Sequence, residues 1–308
     1  MRTRMESDAM AMKEFFSREI PNTLDWAGRF RLGCGVVVCY ALFWQTSRWA
    51  AIPPLRGMNV SLLSMPSAAM AVAIVAAAVI LGTLAGRLIV GDLLIATDVQ
   101  IEGGLVAALL GMTALCVRGG PLRYVFFQSD DHPSVFLMLA GELVLLFVIT
   151  GIAWWLLIKF ESLFGHGDEN QTPHAEPDAI STGLMATGTH ALVMAACMVF
   201  LAASDDTQQT LAAALISSLL ASMAAHVAFP VRSPIWFWIS PMFVGVIGYW
   251  IAYFNPTGLP IGFPQGPLGG LARAAPLDYA GIAAAGAIMG FWIAHRWHIE
   301  QQQSATAS

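Results

Sequence analysis

An all-α, polytopic integral membrane bundle of about eight transmembrane helices is the fold this sequence predicts, and three observations predict it. Hydrophobic residues fill 57% of its 308 positions and charged residues only 11%, where an ordinary soluble domain carries about 25% charge. Mean hydropathy is +0.65. The apolar residues also gather into runs of about 20, the length needed to cross a hydrocarbon core of about 30 Å.

The runs lie at 32–51, 68–90, 101–117, 135–158, 180–203, 211–229, 235–253 and 279–297. Residues 1–31 are then an N-terminal tail, 32–297 the bundle and 298–308 a short C-terminal tail, expected to be mobile. The tail mixes Arg2, Arg4, Lys13, Arg18, Arg29 and Arg31 with acidic residues and lacks the apolar core of a cleavable signal, so the first span reads as an uncleaved anchor. Trp44 and Trp49 close that span at headgroup level, and Trp154 with Trp155 closes the fourth. Trp236 and Trp238 open the seventh, which Tyr249, Trp250 and Tyr253 close; Tyr279 opens the eighth and Trp297 ends it. The third span is the weak one, with 15 uncharged residues between Glu102 and Arg118. Gly82 with Gly86 in the second span, and Gly286 with Gly290 in the eighth, set small residues four apart, a pattern that lets helix backbones touch. We read both as packing within one bundle.

Orientation follows from Lys and Arg alone. With both termini cytoplasmic, that side gathers ten of the 15 (the six of the tail with Arg87, Lys159, Arg232 and Arg296), and the other side gathers Arg48, Arg56, Arg118, Arg123 and Arg273. The polar stretch 165–178 reads as a cytoplasmic linker, and the Pro- and Gly-rich stretch 255–278 as a loop packed over the outer mouth. A net charge of −5 without a basic block excludes nucleic acid as a partner. The lipid bilayer takes that place, with another membrane protein as the remaining candidate.

Few residues suggest chemistry. Cys34, Cys39, Cys116 and Cys197 sit in apolar runs without CxxC spacing, which excludes c-type haem and structural zinc and leaves packing roles. Glu142 is a carboxylate inside the fourth span, and such groups are costly enough to suggest function by default. It reads either as a proton- or cation-binding group in a translocation path or, with more weight, as a carboxylate that holds helices in register, either protonated or paired with Arg118 or Arg123. His190 and His226 fall at similar depth on the fifth and sixth spans, which would permit a bis-histidine haem or a shared metal. Two unrelated interfacial histidines would look the same. His295 and His298 share a helix face, and with His166 and His174 they permit a peripheral metal site, against the simpler reading of polar groups at a helix end. Ser222 and His226, four apart, lack the oxyanion-hole signature of a hydrolase, so Ser217, Ser218 and Ser222 read as packing hydroxyls.

Three functions remain open. The first is a non-catalytic structural or accessory subunit of a membrane assembly, expected to carry no cofactor. The second is a small permease or channel using Glu142. The third is a haem- or metal-bearing electron-transfer subunit using His190 and His226.

Overall fold

A computed structural model describes residues 26–50, 61–91, 98–122, 125, 133–164, 179–204, 206–255 and 269–307. They form α1 (Trp26–Ala50), α2 (Ala68–Val90), α3 (Asp98–Gly111), α4 (Thr113–Gly119), α5 (Ser134–Phe164), α6 (Ile180–Leu201), α7 (Thr207–Ala228), α8 (Ile235–Trp238), α9 (Ser240–Phe254), α10 (Pro276–Asp278) and α11 (Ala284–Ala307). A turn of 3-10 helix, Gly269–Ala272, precedes α10, and a π-helical turn, Tyr279–Ala283, joins α10 to α11. No strand occurs among the described residues.

Eight helical spans are long and apolar enough to cross a membrane: α1, α2, α3 with α4, α5, α6, α7, α8 with α9, and the rod running from α10 into α11. The bundle is all-α, as the composition predicts. Residues 102–119 and 276–298 are its centre: an apolar 18-residue stretch of each is 78% and 83% buried, against 17% and 28% in the α1 and α6 spans, which face outward. The short third span is thus an inner helix. Its neighbours shield it from lipid, so it needs fewer apolar residues.

Several boundaries differ from the sequence reading for local reasons. α7 starts at Thr207, four residues early, because the Asp206 carboxylate caps it by accepting from Gln208 N at 3.0 Å. The last span starts at Pro276, where proline suits the first helical position and the Asp278 carboxylate reaches back to Ala275 N at 2.8 Å. α11 continues through Ala307, so the expected C-terminal tail is helical as far as it is described. The third span breaks at Met112, beside a glycine at which α3 meets α1. A Cβ on Gly111 would stand 2.5 Å from Cys39 Cβ and 2.8 Å from the Cys39 backbone. Gly120, at φ 75°, then ends α4 in an extended, positive-φ conformation that favours glycine, and donates its N–H to Cys116 O.

Glycine also sets the other close approaches. A Cβ on Gly86 would lie 2.6 Å from Gly104 O, seating α2 on α3, and one on Gly82 would meet the Phe43 ring of α1 at 3.3 Å. On α11, a Cβ at Gly286 would lie 2.8 Å from Leu215 O, and one at Gly290 would lie 2.3 Å from Leu219 O and 2.9 Å from Ser222 Cβ. Both paired-glycine motifs therefore act inside the chain, bringing backbone against backbone.

Gly290→Ala is expected to lower stability by about 1–3 kcal/mol, because the new methyl must push α7 away from α11. Gly188, exposed on α6 with open space for 4 Å around the point where a methyl would stand, is the contrast. There Gly188→Ala should gain about 0.5–1 kcal/mol from helix propensity. Heating in detergent while labelling the buried thiols of Cys39 and Cys116 reads both changes.

Candidate functional site

Glu142, wholly buried on α5, accepts hydrogen bonds from a segment that precedes α2. Ser61 Oγ and Leu63 N (3.2 Å) donate to its Oε2, and Leu62 N (3.1 Å) donates to its Oε1. The donors come from a tight turn in which Ser64 N and Oγ bond back to Ser61 and Met65 N bonds to Leu62 O. Ser61, Leu62 and Met65 are buried, so non-helical backbone sits within the bundle, and its otherwise orphaned N–H groups are satisfied by Glu142. The carboxylate does tie two segments together, but its partners differ from the arginines the sequence suggested. Arg118 lies 4.9 Å above the Trp44 ring, and Arg123 is outside the described residues.

The histidines regroup as well. His190, on α6, places Nε2 3.1 Å from Ser218 O and 3.4 Å from Ser218 Oγ. A carbonyl only accepts, so Nε2 carries the proton, and the nitrogen that usually binds metal is already engaged. His190 and His226 both contact the Phe237 ring, with centroids 6.0 and 6.1 Å away. The nearest imidazoles to His226 are those of α11: His295 at 5.5 Å and His298 at 5.4 Å, with the Phe291 ring at 5.1 Å. Among the described residues, no group of three His, Cys, Asp or Glu side chains is placed to hold a metal ion. His166 and His174 lie outside those residues.

The sequence reading missed Asp278. It is buried at the head of the last span, its Oδ2 bound to Ala275 N, with Cys116 of α4 and Thr210 of α7 facing it. Its Oδ1 has no hydrogen-bond partner. The signal was present in Ala275-Pro276-Leu277-Asp278, a helix start with proline first and an acid third, but an apolar run opening at Tyr279 excluded it. Around Asp278, irregular backbone is again satisfied by side chains. Tyr249 Oη donates to Ala274 O at 2.6 Å, Tyr279 Oη to Leu271 O at 2.7 Å, and Arg273 donates to the O of Ala202, the buried residue just past α6, at 2.6 Å. This described part of the Pro- and Gly-rich loop is buried against the bundle.

Helix α7 connects Asp278 to the histidines. Its burial repeats every four residues: 213/214, 217/218, 221/222 and 225/226 are buried, while 212, 216, 220 and 224 are exposed. Thr210, Ser217, Ser218, Ser222 and His226 all lie on the buried ridge, no more than 2% exposed, and the exposed ridge is Ala212, Ile216, Leu220 and Ala224. The helix is polar inward and apolar outward. Among the described residues, six buried side-chain polar atoms make no hydrogen bond. Three are on α7 (Ser217 Oγ, Ser222 Oγ and His226 Nδ1), and two more, His190 Nδ1 and Asp278 Oδ1, belong to residues facing it. No family model matches the chain, and neither a curated protein nor a solved structure does.

Replacing Glu142 with Ala is expected to cost about 3 kcal/mol, because a buried hydroxyl and two N–H groups lose their acceptor together. Ser61→Ala, which keeps both N–H bonds, should cost about 1 kcal/mol. Arg118→Gln removes only an exposed cation–π contact and should change stability by less than about 1 kcal/mol. Thermal unfolding of the purified protein ranks the three.

Proposed function

We propose that the chain is a small permease or channel whose path follows the inward ridge of α7, between α6 and the rod 276–307, and not Glu142. The observation that carries this reading is the inverted polarity of α7, with five buried polar side chains on the ridge and a neighbouring cluster of unpartnered polar atoms. Each such atom left without a partner in a lipid-embedded core costs about 1–3 kcal/mol. A helix that served only as a packing element would avoid that cost with alanine or leucine. Intramembrane polar groups facing a bundle interior are the ordinary marks of a substrate or ion pathway. Glu142 differs: three donors hold it, and it closes a structural turn.

An accessory subunit of a membrane assembly gives these atoms no task. An electron-transfer role through His190 and His226 would have to release His190 from Ser218 and displace Phe237. Both termini are placed on the cytoplasmic side, following the ten-to-five distribution of Lys and Arg. The Asp278 end of the path then faces outward and the His226 end inward.

Purified protein in liposomes, tested against protons, potassium, urea, glycerol and ammonia, should raise one permeability well above that of protein-free liposomes. Ser222→Leu, which fills the ridge beside Gly290, should abolish the increase. If no permeability rises while the protein remains folded, the reading fails. Native mass spectrometry for a bound polypeptide then becomes the next measurement.

A further inference from the structure

Resting on that permease reading, we infer that the species carried along α7 is the proton, relayed by the side chains of its buried ridge with single waters between them. Three features of the ridge point to it.

The first is width. Beside Ser222 the backbones of α7 and α11 are already in contact, with room for no Cβ at Gly290 or at Gly286. A solute larger than water has no way between them, whereas a proton needs only a chain of hydrogen bonds. The second is chemistry. Thr, Ser, His and Asp side chains can each accept and donate a proton or hydrogen bond, and α7 contains no Lys or Arg to repel a positive charge. The third is order. Titratable groups stand at both ends with hydroxyls between them. Asp278 is at one end, faced by Cys116, Thr210, Tyr249 and Tyr279. At the other end His226 is faced by His295 and His298, with Phe237 and Phe291 as its apolar walls.

Spacing supplies the mechanism. Ser218, Ser222 and His226 succeed one another at four-residue steps, about 6 Å of rise, a gap that one water spans with two hydrogen bonds. Thr210 belongs to the same series, but position 214 between it and Ser218 is a fully buried alanine. Leu211 and Ala213 beside it are also buried, and the π-helical turn packs against α7. This interval, about 12 Å from Thr210 to Ser218, is a dry constriction of the kind that gates by excluding water. At His226 the step is balanced: one ring nitrogen accepts a proton from the serine side as the other releases one toward His295 or His298. The imidazole ends with the charge it began with and its tautomer exchanged.

The test is proton flux into liposomes containing the full-length protein and a pH-sensitive dye, driven by a potassium diffusion potential. Ser222→Ala, which removes a relay hydroxyl and adds no bulk, should lower the flux roughly tenfold, as losing one member of a serial chain implies. Ala214→Ser should raise it several-fold by completing the series, a gain that a merely unfolded variant does not give. Ile216→Ala, on the exposed ridge, is the control for handling. Proton flux indifferent to Ser222→Ala and Ala214→Ser overturns the relay. A solute flux lost in Ser222→Leu without proton flux overturns the proton assignment and leaves the permease reading standing. No flux of any species ends both.

Discussion

Backbone contact between α7 and α11 at Gly286 and Gly290 is the constraint on which the histidine-bearing half of this bundle depends. In lipid the hydrophobic effect does little to hold helices together, so association rests on dispersion and on how closely backbones can approach. Two glycines in α11 let it settle onto the carbonyls of Leu215 and Leu219. That contact fixes the rotation of α7, which turns its serines inward and its isoleucine and leucine toward lipid. It also sets His226 against His295 and His298, since those residues lie one and two turns beyond the contact.

The half that holds Glu142 and Asp278 obeys a different rule. Two stretches of irregular backbone, 61–67 and 269–275, are packed into the bundle, where water is not at hand to satisfy them. Side chains supply the missing partners: Glu142 for the first, and Tyr249, Tyr279 and Asp278 for the second. The π-helical turn belongs to the same half. Gly281 in it rests against Leu109 O and Met112 Cβ, so the irregular turn of the last span meets the break in the third. The wider helical turn and the break at Met112 thus meet beside the place where Asp278 faces Cys116.

Fold class and span positions were legible because hydropathy and tryptophan placement report depth directly. What depth does not report is azimuth. His190 and His226 do lie on neighbouring antiparallel helices, yet the rotation of α7 gives His226 to α11, and no one-dimensional pattern encodes which helices become neighbours. The same limit hid the partners of Glu142. Arg118 and Arg123 were the candidate cations, but the partners that the structure describes are a hydroxyl and two N–H groups of a turn about 80 residues earlier. Asp278 was lost to a boundary, because an apolar run starts one residue after it. The serines of α7 were seen individually and read as packing groups. Their register as a single ridge appears only once the four-residue repeat of burial is known.

Of the eight spans among the described residues, the most deeply enclosed follows the other seven in chain order and so leaves the ribosome after them. Until residues 276–307 insert, α3 and α7 have no central partner, and the polar ridge of α7 must stand open to lipid or to the insertion machinery. In an assembly that follows chain order, the bundle closes only after this span arrives. A chain arrested before Pro276 would expose an acceptor-rich groove of the kind that quality-control proteases and membrane chaperones engage.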